Sequence, residues 1–304
     1  MRLGVSSGFS RLRSRLASGR PLVVDADASA CFRARGVAID SPGAVGQLLR
    51  SRPSDVLEHH RGEVQSHVSI VTALTQDTTP RALAEVGMEH RSAWLTGIAI
   101  ELALEAAAAA EKPVAVAGAL GSELVAPLQP HRLGEELSEH ALRVATAGAE
   151  LIIARGQGSR LELLAAVNAA VQTDLPTWAI VEIRSGGVLA HGGRLSELLE
   201  ELASAGASAV LFEVSSVDDG ISLLAQVQGL DSPLAPGVLL SAGAESVRGF
   251  PDPASDVARW AARALELDTG GARIIGGGAG TIEAHTEALV EELTALHPSI
   301  PASR

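Results

Sequence analysis

Eight short runs of apolar, mostly β-branched residues recur along this chain, each parted from the next by a longer stretch of helical periodicity. No other feature narrows the fold as far. The runs are PLVVDAD (21–27), VSIVTAL (68–74), PVAVAGAL (113–120), AELIIAR (149–155), TWAIVEI (177–183), ASAVLFEV (207–214), GVLLSAG (237–243) and ARIIGGG (272–278). Between them lie segments such as LGEELSEHALRVATAG, LSELLEELASAG and DVARWAARALEL, with apolar positions three and four apart. Near-continuous apolar strands are those of a parallel sheet buried on both faces, and eight of them alternating with helices predict a (β/α)8 TIM barrel. A doubly wound sheet is the competing topology. The AGAE at 147 and AGAS at 205 form a weak internal echo, expected where helices end at glycine before the next strand. With no clear linker, residues 1–304 read as one domain.

The first 20 residues, rich in Arg and Ser without an acidic side chain, predict a short cationic helix against the barrel floor. An organelle transit peptide is the other reading of that composition.

Composition removes several function classes. A net charge of -12 opposes a nucleic-acid partner, whose affinity rests on clustered cations, and four Phe, three Trp and no Tyr leave little for base stacking. No apolar run nears the roughly 20 residues that span a bilayer. Cys31 is the single cysteine, so neither an intramolecular disulfide nor a metal site needing two thiolates from one chain can form. A cytoplasmic location suits that usage. Cys31 itself reads as a small buried filler.

The stretch IIGGGAGT (274–281), leaving the last strand for a helix, carries the most information. Together with FSRLRSRLASGRPLVVDADASACFRARG, VAVAGALG, AGAELIIARG, VLFEVSS, LLSAG and GARIIGGGAGTIEAH, it resembles the homocysteine S-methyltransferase family over nearly the whole chain. The resemblance implies zinc-dependent methyl transfer to the homocysteine thiol, with zinc held by one Cys after the sixth strand and two adjacent Cys after the eighth. A zinc ion on three thiolates keeps an open position where the substrate thiol loses its proton.

The chain departs from that pattern at the ligands, where Val214, Gly278 and Ala279 occupy the three cysteine positions. The family's DGGMGT matches Asp25, Ala26, Asp27, Ala28, Ser29 and Ala30, a glutamate of its amino-acid pocket matches Arg155, and an asparagine matches Ser241. Gly148, Gly280, Thr281 and His285 are retained. The expectation is therefore a barrel with no cofactor and no zinc. It is either a pseudoenzyme or repurposed protein that binds a small molecule at its mouth, paired with copies of itself or with an active homologue, or an enzyme of altered substrate, carrying out zinc-independent methyl transfer or phosphate and anion-ligand chemistry there.

The candidate ligand residues at that mouth are Asp25, Asp27, Arg155, Glu182, Arg184, Glu213, Ser241, Gly276, Gly277, Gly278, Gly280 and Thr281. The charged ones either hold an anionic ligand, with Asp27 or Glu213 as a base, or neutralise one another across the pocket. The glycine loop also offers backbone N–H groups for a phosphate, although it lacks the lysine of a P-loop. His60, Glu63 and His67 recur at near-helical spacing without the HExxH pattern and read as a solvated helix face, as do the runs GEELSEH and EELTALH.

Overall fold

The computed structural model describes residues 8–121, 128–156, 159–242 and 253–297; residues 1–7 of the expected N-terminal helix and Gly243 of the seventh run lie outside them. All eight runs become strands. They are β1 (Leu22–Val24), β2 (Ile70–Ala73), β3 (Ala115–Leu120), β4 (Leu151–Arg155), β5 (Thr177–Arg184), then, after a two-residue strand β6 (Val188–Leu189), β7 (Ala209–Val214), β8 (Ala235–Leu240) and β9 (Ile274–Gly277). The sheet order is β4-β3-β2-β1-β9-β8-β7-β5, and β4 pairs with β5 to close the ring. Each barrel pairing is parallel; only β6 runs antiparallel, with Ile183 opposite Leu189. The chain is a (β/α)8 barrel.

Alternation along each strand divides the core in two. Leu22, Val24, Ile70, Ala115, Ala117, Leu151, Ile153, Trp178, Ile180, Leu211 and Ile274 fill the barrel. Their strand neighbours Val23, Val116, Ile152, Ala179, Val181, Phe212 and Ile275 face the surrounding helices. Strands buried on both faces explain why the runs carry so few polar residues. Helices Pro130–Ala147 and Leu195–Ala205 end at Gly148 (φ 110°) and Gly206 (φ 99°), the left-handed positions that the AGA echo predicts.

The helix Gly8–Ser18 packs on the floor of the barrel, where Phe9 and Leu12 join the interior cluster and Phe9 meets Trp178 edge-on at 5.9 Å. Glu150 anchors it, accepting from the Gly8 amide at 2.6 Å and from the Val116 amide at 3.1 Å.

The connection from β1 to β2 is more elaborate than the sequence suggests. It holds three helices, Ala28–Ala34, Ala44–Ser51 and Pro53–Gln65, whose Phe32, Leu49 and Val56 share an apolar cluster with Leu95 of the later helix Ser92–Ala108. Each is short and set off by glycine or proline, so no single periodicity runs through the segment. Among the described residues no helix is long and apolar enough to cross a membrane.

Candidate functional site

The C-terminal strand ends surround a cavity of about 690 Å³, at the end of the barrel where this fold builds its sites. Asp25, Asp27, Arg155, Glu182, Arg184, Glu213, Ser241, Gly277 and Gly278 all line it. Gly276, Gly280 and Thr281 do not. Gly276 is a buried strand residue, and Gly280 and Thr281 lie behind the mouth, holding the loop to β1.

Asp25, directly after β1, is 5% exposed and accepts from the Thr72 amide at 2.6 Å and the Thr72 hydroxyl at 2.7 Å. Burial raises its pKa to about 6 against the opposing pull of these bonds, so the carboxyl titrates close to neutrality. Asp27 is a structural residue. Its Oδ1 caps helix Ala28–Ala34 through the Ser29 amide at 2.9 Å, and its Oδ2 accepts from the Gly280 amide at 2.9 Å. Both of its oxygens are thus committed to backbone amides.

On the opposite wall, Glu182 and Glu213 are register partners on adjacent parallel strands. Like charges side by side need a cation, and Arg155 at the end of β4 pairs with Glu213 at 2.9 Å. Arg184 is exposed at the rim. Two carboxylates and two guanidinium groups therefore share one wall of the cavity, with Arg155 and Glu213 in direct contact.

The glycine loop is bound to its neighbours. Gly278 donates to the Leu240 carbonyl at 2.9 Å, Gly280 to Asp27, and Thr281 to the Gly278 carbonyl at 3.2 Å, so these three amides are already used and do not form a phosphate cradle. Nor do the family's zinc ligand positions fit a thiolate centre. Val214 is buried and apolar, and a Cβ on Gly278 would stand 2.9 Å from the Ser241 amide nitrogen and 3.0 Å from the Leu240 carbonyl carbon. Gly278→Ala should accordingly cost about 1–3 kcal/mol in chemical denaturation, by overpacking against backbone that cannot rotate away; an unchanged midpoint would show that the loop gives way.

The expectation of no metal at all is overturned elsewhere in the fold. Cys31, His59, Glu63 and Glu283 bring one donor atom each to within 4.8 Å of one another, a group able to hold a metal ion. Cys31 is buried, as expected of a small filler, and its lone thiol is joined by nitrogen and oxygen donors, a mixed set that counting cysteines overlooks.

The solvated-face reading fails as well. His59, His60 and Glu63 are all 0% exposed, because helix Pro53–Gln65 turns this face inward; His67 lies beyond its end and is exposed. In the GEELSEH run, His140 is likewise 0% exposed, with Nε2 at 2.8 Å from the Thr75 carbonyl.

Around the cluster, His59 Nδ1 lies 3.1 Å from Glu283 Oε1, and Cys31 Sγ lies 4.0 Å from Glu63 Oε1. Burial first, and then the nearby carboxylates, push the Cys31 thiol pKa well up; the same causes hold Glu63 well above the usual carboxylate range. Glu283 is partly desolvated, which opposes ionisation, yet its bond to His59 and the nearby Arg35 lower it to about 2.

A closed parallel barrel with charged residues lining a cavity at its C-terminal mouth has a small-molecule site of the kind on which barrel enzymes are built. Within that class, the model of the homocysteine S-methyltransferase family matches residues 23–293, and the chain belongs to that family. No curated protein matches it by sequence. Among solved structures, the metallated form of the homocysteine methyltransferase MmuM from Escherichia coli superimposes with a TM-score of 0.78 at 20% identity, covering 92% of this chain and 99% of that one. Its oxidised form gives 0.79 at 21% identity over the same shares. The carboxyl transferase domain of Rhizobium etli pyruvate carboxylase is a more distant likeness, with a TM-score of 0.54 at 12% identity, covering 91% of this chain and 44% of that one.

Proposed function

We propose that this chain is a homocysteine S-methyltransferase-family barrel whose mouth takes a small amphoteric molecule, amino-acid-like in its charges, with Asp25 as the acid–base group. One observation carries the reading: the cavity places the buried carboxyl of Asp25 across from a wall bearing both signs of charge, and that burial raises its pKa. A base that is largely ionised at pH 7 but still basic enough to accept a proton is suited to general catalysis. The Arg155 and Arg184 guanidinium groups would meet an anionic end of the ligand, and Glu182 and Glu213 a cationic end. Because the family's thiolate positions carry no donors here, no step is assigned to them.

The test is calorimetric titration with a panel of amino acids and thiols, followed by turnover assays with sulfonium and quaternary-ammonium methyl donors. Arg155→Ala should weaken binding by about tenfold or more, about 1.4 kcal/mol. Asp25→Asn should leave binding nearly unchanged while abolishing turnover, and the parent enzyme's rate should fall on the acid side of about pH 6. A panel that never binds, or an affinity indifferent to Arg155, would sink the proposal.

A further inference from the structure

We propose that Cys31, His59, Glu63 and Glu283 bind one divalent cation of the zinc class, at a site outside the barrel wall and separate from the mouth. The donors come from three helices: Ala28–Ala34, Pro53–Gln65 and the first turn of Glu283–Leu296. Zinc bonds of about 2.0–2.3 Å place tetrahedral ligand atoms roughly 3.3–3.8 Å apart. The His59–Glu283 and Cys31–Glu63 separations of 3.1 and 4.0 Å bracket that spacing, and all four donors fall within 4.8 Å.

The imidazole is already oriented for this role. His59 is fully buried, with Nδ1 turned toward Glu283 and not toward solvent.

The donor set selects the ion. One thiolate and one imidazole favour a borderline metal over magnesium or calcium, which prefer oxygen alone. On binding, the thiol proton leaves to solvent and a metal–sulfur bond forms, with no change of oxidation state. Three anionic ligands against a doubly charged ion leave one negative charge, and Arg35 offsets it from its 2.5 Å contact with Glu283. Glu283, with its side chain 20% exposed, is the opening to solvent.

The ion would also brace the mouth from behind. Glu63 Oε1 accepts from the Ala26 amide at 3.2 Å, and Ala26 lies between Asp25 and Asp27; Glu63 Oε2 accepts from the Thr286 hydroxyl at 3.1 Å. Fixing Glu63 therefore fixes the exit of β1 relative to the last helix.

The experiment uses the full chain, stripped with chelator and titrated with Co²⁺ and then Zn²⁺. One ion per chain is expected, with a near-ultraviolet sulfur-to-cobalt charge-transfer band that Zn²⁺ erases and a Tm rise of about 5 °C at saturating metal. Cys31→Ser should abolish the band and weaken binding at least tenfold. Glu283→Ala, at the partly exposed edge where folding is least at risk, should weaken binding by a similar factor with the charge-transfer band retained. No retained ion, or a stoichiometry and affinity unaltered in both variants, overturns the site. Because no readout involves the mouth ligand, this can fail while the mouth proposal stands, and the reverse.

Discussion

Between pH 7.5 and pH 5, His140→Gln should gain roughly 2 kcal/mol of stability on the parent protein, seen as converging and then crossing urea midpoints. His140 is fully buried, and burial lowers its pKa from 6.5 to about 4 even though Nε2 bonds to the Thr75 carbonyl. A histidine held neutral in the fold costs nothing above its unfolded pKa. As pH falls below 6.5 the unfolded chain takes up a proton that the folded chain refuses, and stability drains until about pH 4. Glutamine reaches the same carbonyl with an amide N–H and never charges, so the variant lacks this slope. His60, lowered to about 3 by burial and by His59, acts in the same direction.

Asp25 opposes both. Its pKa is raised to about 6, so its contribution is complete below about pH 4 and is lost as pH rises through 6. Asp25→Asn should therefore gain on the parent as pH rises, the mirror image of His140→Gln. Parallel pH profiles for parent and His140→Gln in chelator would show that His140 charges freely in the native state.

Trp178→Ala should cost about 3–5 kcal/mol, the largest loss from a single side chain in this barrel. Trp178 is 1% exposed at the start of β5 and fills the interior just above the floor helix, where Phe9 stands edge-on to it. Its removal leaves a void that strand backbones cannot close and takes the contact surface from helix Gly8–Ser18 as well. Phe9→Leu keeps most of the volume and should cost under about 1.5 kcal/mol. The mouth lies at the opposite ends of the strands, so ligand affinity measured well below the melting temperature should survive in both. A Trp178→Ala variant as stable as the parent would mean that the floor plug is dispensable.

The barrel was legible because each of its strands is a local pattern. A run such as TWAIVEI or AELIIAR needs no knowledge of its neighbours to be recognised as a strand buried on two faces. The mouth was legible for a related reason: in a parallel barrel every strand points its C-terminus the same way, so Asp25, Arg155, Glu182 and Glu213 share a rim once the strands are known. The strand ends moved by a few residues, and although charge neutralisation across the pocket was one of the two expectations, that Arg155 would take Glu213 as a partner depends on strand tilt and register.

The metal-capable cluster was not legible. Histidines and a glutamate in HHRGEVQSH attract attention, but the stripe drawn through His60, Glu63 and His67 used a residue beyond the helix end and passed over His59. Periodicity reports that residues share a face, not whether that face meets water or another helix. His59 and Glu63, one turn apart, were the available signal; Cys31 and Glu283 carry none.

The sequence by itself determined the eight strands alternating with helices, the charged residues at their ends and the absence of sulfur at Val214, Gly278 and Ala279, because strand pattern and residue identity are properties of short segments. Only the tertiary structure decided that Cys31, from the chain's beginning, and Glu283, from near its end, meet across helix Pro53–Gln65. Ring closure sets β9 against β1, and with them the helices that follow each, so residues remote in sequence become neighbours through a constraint that no local stretch contains.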